Sequence, residues 1–117
     1  MGLVDSRTIA WDEPPGHFGG FSKYLVGEHN GCKTMDFRVS RYPIRGRVEA
    51  HTHDVAEQIY YIISGMGTAR LGDDTVVVGP GDTLFVPPRE VHAIENTGNE
   101  DLVFVVVTSP PNDLPRN

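Results

Sequence analysis

Cysteine is all but missing from this chain: Cys32 stands alone among 117 residues. A single thiol excludes an internal disulfide and any multi-thiolate metal site. It also fits a reducing compartment, so a cytoplasmic protein is expected. No run of about 18 apolar residues occurs, and no membrane-spanning helix is expected. The opening MGLVDSRTIAW lacks the basic-then-apolar order of a secretory signal. Positive charge is scarce, with ten Lys and Arg against sixteen Asp and Glu, a formal net charge of −6. Nucleic acid and anionic membrane both need a basic face, so neither is expected as a partner. Long amphipathic helices are also lacking. Thirteen glycines and nine prolines break the chain, at intervals of about eight to twelve residues.

Between those breaks lie short runs rich in Val, Ile, Tyr, Phe and Thr, the rhythm of an all-β sandwich or barrel. Strands are expected at 21–27, 34–42, 47–53, 58–64, 67–72, 74–79, 82–86, 91–96 and 102–108. LGDDTVVV reads as a hairpin turning at Gly72-Asp73-Asp74. In 34–42, Met35, Phe37, Val39 and Arg41 share one face, while Asp36, Arg38, Ser40 and Tyr42 share the other. LVFVVVTS is apolar at nearly every position, so both its faces should be covered. A chain of this length makes one domain. Residues 1–20 read as an extended N-terminal arm, 21–109 as the β-domain, and 110–117 (PPNDLPRN) as a tail expected to fray.

The stretch EAHTHDVAEQIYYIISG, residues 49–65, spends two of the five histidines on one strand mouth. His51 and His53 alternate with Thr52, so both imidazoles point the same way. Glu57 and Gln58 follow after a short connection. A third histidine, His92, opens another apolar strand. Imidazoles and an oxygen donor converging from two strands suit a divalent first-row ion. The spacing alone is equally that of surface histidines on a β-protein.

With both segments in view, the chain resembles a small single-domain cupin. That family's first motif runs G, five residues, H-x-H, three or four residues, E, six residues, G. Here it is carried by Gly46, His51, His53, an oxygen donor and Gly65. The second runs G, five, P, one, G, two, H, three, N, carried by Gly81, Pro87, His92 and Asn96. The resemblance implies a double-stranded β-helix, the RmlC-like jelly-roll barrel. It also implies a divalent transition metal (Fe, Mn, Ni or Zn), a small-molecule ligand and a homodimer.

Three departures stand out. Only four residues separate Gly46 from His51, Arg89 replaces the inner glycine of the second motif, and counting back from Gly65 lands on Gln58 rather than Glu57. The expected ligand set is therefore His51, His53, His92 and Gln58, with Glu57 as the alternative. Strand parity does not choose between them, because residues 59–63 are apolar or aromatic on both faces. A glutamine would leave the ion's double charge uncompensated and favour an anionic oxygen ligand. A glutamate would cancel one charge.

Arg38 and Arg41 are candidates to clamp a substrate carboxylate, and Tyr60 to line the interior, each against a plain structural role. Asn96 is expected to hold a loop, and His17 and His29 to lie at the surface. Trp11, Phe18 and Phe21 would cost roughly 1.5–3 kcal/mol each if left in water, so the arm should pack on something, plausibly a second subunit.

No catalytic residue is assigned. Two functional readings follow. One is a metal-dependent enzyme of dioxygenase or isomerase/lyase type acting on a small organic acid or carbonyl compound. The other is a non-catalytic module that binds or senses a small ligand. Cupins that process unsaturated uronates carry a DVFSP-like stretch where this chain has VVTSP, with Val106 and Thr108 at the first two chemical positions. Uronate chemistry is accordingly not expected.

Overall fold

The structure is a computed structural model describing residues 2–116. Among them the strands are β1 (His17–Phe18), β2 (Phe21–Val26), β3 (Asp36–Tyr42), β4 (Arg47–His51), β5 (Glu57–Ser64), β6 (Gly67–Leu71), β7 (Asp74–Val78), β8 (Thr83–Val86), β9 (His92–Asn96) and β10 (Leu102–Ser109). Every strand expected from the sequence is present, with ends within two residues of the reading, and β1 is added to them. The turn at Gly72-Asp73 joins β6 to β7, with Leu71 opposite Asp74 and Gly72 at a φ of 60°. No helix is long and apolar enough to cross a membrane.

The strands form two five-stranded antiparallel sheets, β1-β4-β9-β6-β7 and β2-β3-β10-β5-β8. From β3 onward the chain crosses repeatedly from one sheet to the other, closing a jelly-roll barrel whose inner faces share one core. β10 lies between β3 and β5 and sets the rungs of the interior. At one end Leu102 faces Tyr42. Next, Phe104 lies between Ser40 and Ile62, and then Val106 between Arg38 and Tyr60. At the other end Thr108 lies between Asp36 and Gln58. The interior therefore grades from mainly apolar to wholly polar along one strand. Leu102, Phe104 and Val106 are buried, whereas Val103, Val105 and Val107 on the outer face are only half-buried. The expectation that both faces of this strand are covered thus holds fully for the inner one alone.

β3 buries its more polar face: Asp36, Ser40 and Tyr42 are sealed and Arg38 points with them, leaving Phe37 and Val39 on the outer side. Ser22 and Ser40 satisfy each other across the sheet at 2.8 Å. Gly65 ends β5 with a φ of 82°, and a Cβ there would collide with the Asp101 carbonyl. Only glycine fits that corner.

The arm docks on its own chain. β1 pairs with β4, Asp12 bridges to Ser22, and the Trp11 ring lies beneath Lys23 and Arg41 at 4.8 and 5.0 Å. Arg47 covers Phe18 at 4.5 Å. Trp11 and Phe18 each find a cation of the same chain, although Phe18 stays half exposed. The tail expected to fray is also tied down: Thr52 and Arg116 exchange main-chain hydrogen bonds of 2.6 and 2.7 Å, and Arg116 pairs with Asp54 at 2.7 Å.

Candidate metal centre

β4 delivers His51 through an irregularity. Val48 pairs with Ile94 and His51 with His92, so three steps on β4 match two on β9. The bulge reverses the face parity, turning His51 inward although Val48 already points there. Across the β4–β9 ladder His51 is directly opposite His92, their ring centroids 4.2 Å apart. His53 follows Thr52, and its ring lies 5.1 Å from that of His51 and 5.4 Å from that of His92. One ligand atom from each of the three can be chosen so that all lie within 4.8 Å of one another.

The outer nitrogens fix how these rings present themselves. Nδ1 of His51 faces the Glu49 carbonyl at 2.7 Å, that of His92 the Glu90 carbonyl at 3.0 Å, and that of His53 the Asp113 carbonyl at 2.7 Å. A carbonyl only accepts, so a neutral ring that donates from Nδ1 keeps its lone pair on Nε2, the arrangement a metal ligand needs. Burial, with smaller contributions from neighbouring cationic groups, pushes His51 and His92 down to about 4. Both are neutral, the ligating form, at physiological pH.

Gln58 is buried on the inner face of β5, whereas Glu57 points outward and is exposed. The Gln58 amide donates to Thr108 Oγ1 at 3.0 Å, which turns Oε1 toward His92 Nε2 at 2.9 Å. Tyr60 donates its hydroxyl to the same Oε1 at 3.3 Å. With His92 donating from Nδ1 to Glu90, its Nε2 and the Gln58 oxygen face each other as two lone-pair atoms, the arrangement a bound ion would bridge. His53 Nε2 is buried with no partner at all. A divalent cation would give these atoms a common partner, and the 2.9 Å between the His92 nitrogen and the Gln58 oxygen is about the spacing of adjacent donors around an ion with bonds of about 2.1 Å. The donors present fit a first-row transition metal.

Beside the histidines lies a cavity of about 150 Å³, lined by Tyr24, Asp36, Arg38, His53, Gln58 and Thr108 and closed by the segment 112–115. Arg38 donates from Nη1 to the Tyr24 hydroxyl at 2.9 Å, while its buried Nε has no partner. Asp36 Oδ1 is likewise buried and unpartnered, and burial raises its carboxyl above the ordinary value, with Arg38 opposing. Tyr60 is at once core and site, stacked on Phe104 and touching Gln58.

Arg41 is not brought here. Three residues from Arg38 on a strand, it faces the other way, over Trp11. His17 lines a separate cavity beside His51, packs edge-on against Tyr42 and stands outside the cluster, as does the exposed His29. Asn96 donates to the Tyr42 and Glu100 carbonyls at 2.7 and 2.8 Å and holds its loop. Arg89 occupies the glycine position of the second motif with a left-handed φ of 65°. Asp36 and Thr108 escaped the sequence reading, though Asp36 shares strand parity with Arg38 and was open to notice. Asp113 gave no signal.

The model of the cupin domain matches residues 38–108, which include every histidine of the cluster. The chain is a cupin. The oxalate-binding protein of Thermotoga maritima is 38% identical to this cupin over 79 residues, covering 68% of this chain and 64% of that protein. The crystal structure of a predicted oxalate decarboxylase from the same organism superposes with a TM-score of 0.81 at 32% identity, over 92% of this cupin and 97% of that chain. The polyketide cyclase RemF from Streptomyces resistomycificus superposes with a TM-score of 0.87 at 24% identity, over 100% of this chain and 84% of that one, a likeness of fold. The cupin spans 55–64% of the length of the first curated relatives it matches.

Proposed function

We propose that this cupin is a metal-dependent enzyme acting on a small organic acid, with the ion held by His51, His53, His92 and Gln58. The observation that carries the reading is the convergence of three imidazoles and the Gln58 oxygen beside the half-buried Arg38, whose buried Nε has no acceptor, along the same cavity. An arginine does not shed its charge, and leaving its buried Nε short of an acceptor is costly. A carboxylate supplies what it lacks. The ligands are neutral and the ion's charge uncompensated, so an anionic oxygen is favoured at that end as well. A short acid with oxygens at both ends meets both demands, and the two relatives whose names mention oxalate support this choice.

A divalent ion in this place supplies Lewis acidity toward a carboxylate or enolisable carbonyl and, as iron, dioxygen chemistry. The chain's own residues do the rest. Arg38, steered by Tyr24, orients the acid, and Gln58 is held by Thr108 and Tyr60. Asp36, its carboxyl raised and its Oδ1 free, stands within the cavity as a proton carrier. Metal analysis of the purified protein, calorimetric titration with oxalate and other short dicarboxylates, and oxygen-uptake and decarboxylation assays test the proposal. Arg38→Met is expected to weaken acid binding about 10- to 100-fold while metal content stays unchanged. Binding without turnover in any metal form would assign the non-catalytic alternative, which the oxalate-binding relative favours.

We propose further that two copies pair through the outer face of β2-β3-β10-β5-β8. Ile59, Tyr61, Ile63 and Phe85 are each 46–54% exposed there, and the ladder continues them through Val105 and Val107 to Phe37 and Val39. Such a face, apolar across four strands, suits an isologous contact.

A further inference from the structure

The segment Asn112–Arg116 lies across the open end of the barrel, and its contacts with the metal centre are specific. The Asp113 carbonyl accepts from His53 Nδ1 at 2.7 Å, while its carboxylate accepts from the Val55 and Ala56 amides at 2.7 and 2.8 Å. Arg116 exchanges two main-chain hydrogen bonds with Thr52 and forms its ion pair with Asp54. The segment is thereby stapled to Thr52, His53, Asp54, Val55 and Ala56 in turn, the connection that carries His53 from β4 toward β5. The carbonyls that hold His51 and His92 belong to Glu49 and Glu90, each two residues away on the same stretch of chain. His53 alone takes its partner from 60 residues away. Pro115 borders both the cavity containing Gln58 and His53 and the one beside His51, so the strap separates two approaches to the histidines.

We propose that Asp113 is a positioning residue of the metal centre: by anchoring this strap through its carboxylate, it brings its carbonyl to His53 and sets that ring with Nε2 bare and aimed at the ion. Without the carbonyl the Nδ1 proton has no fixed acceptor, and the ring is free to turn or change tautomer. The inference rests on the reading of His51, His53 and His92 as ligands, and it adds a residue that neither motif contains.

The test compares the full chain with Asp113→Ala and Asp113→Asn by zinc competition titration and by nitrogen NMR of the metal-free histidine rings. Asp113→Ala is expected to lower zinc affinity 10- to 100-fold, the usual effect of removing an outer partner. It is also expected to convert His53 from the Nδ1-protonated form to a mixture, leaving His92 unchanged. Asp113→Asn, which keeps an acceptor oxygen, should recover most of both. A variant that melts earlier but keeps its zinc affinity and His53 tautomer assigns Asp113 a merely structural role and overturns the proposal. If the parent chain binds no zinc, the metal-centre reading fails on its own. The metal-free spectra then still decide: conversion of His53 in Asp113→Ala supports the positioning role, and an unchanged ring overturns it.

Discussion

His53 concentrates the physics of the site, since its Nε2 is buried without a partner while its Nδ1 is tied down. Leaving such an acceptor unsatisfied costs about 1–3 kcal/mol. Elemental analysis is expected to find His51→Ala and His92→Ala depleted of metal, and His17→Ala and His29→Ala loaded like the parent; equal loading in all four contradicts the ligand set. The metal-free protein should also respond to acid. With His51 and His92 lowered to about 4 when folded, the unfolded chain binds more protons below pH 6.5. Stability is then full above about pH 6.5 and declines as pH falls toward 4, on the order of a few kcal/mol in denaturant unfolding. Asp36 has the opposite sign. Its raised carboxyl gives stability at low pH that is lost as it ionises, so Asp36→Asn should raise the melting temperature at pH 7 and bring no gain at acid pH, where the carboxyl is already neutral. The three histidines were legible because two motifs fix their spacing. Gln58 was favoured over Glu57 by the count back from Gly65, whereas the partner that holds its amide, Thr108, is 50 residues away and was not legible.

Among elements, β4 and β3 teach different lessons. The bulge in β4 defeats simple alternation between Val48 and His51, and nothing in RVEAH announces it. β3 keeps strict alternation, and the grouping of Asp36 with Arg38, Ser40 and Tyr42 was readable. Which group faces inward was not, since hydrophobicity alone favours Phe37 and Val39. The corner after β5 is rigid by comparison. Gly65→Ala must adopt a left-handed φ and push Asp101 aside. A loss of about 2 kcal/mol or more in thermal unfolding is expected, with the metal ligands themselves untouched. The strap after β10 was misread as fraying because prolines and polar residues dominate it. Its anchors, the Asp113 carboxylate, the Arg116–Asp54 pair and the main-chain bonds to Thr52, find their partners more than 50 residues away, which local composition does not reveal.

For the whole molecule, the jelly roll followed from strand rhythm and motif order, whereas the outer apolar sheet emerged only once the registers of β3, β10, β5 and β8 were aligned. Sedimentation of the parent chain is expected to give twice the monomer mass, and Tyr61→Arg, a charge at the centre of that face, a monomer with its metal retained. A parent chain that sediments as a monomer sinks the pairing. The order of rungs along β10 reaches further. Leu102, Phe104 and Ile62 give the barrel its cohesion at one end, while Asp36, Gln58 and Thr108 line the cavity at the other. Holding power and chemistry thus occupy separate floors of one building. Exchanging tenants on the upper floor alters what the molecule recognises while its foundations stand, which leaves such a scaffold free to take up new substrates without first surviving a collapse.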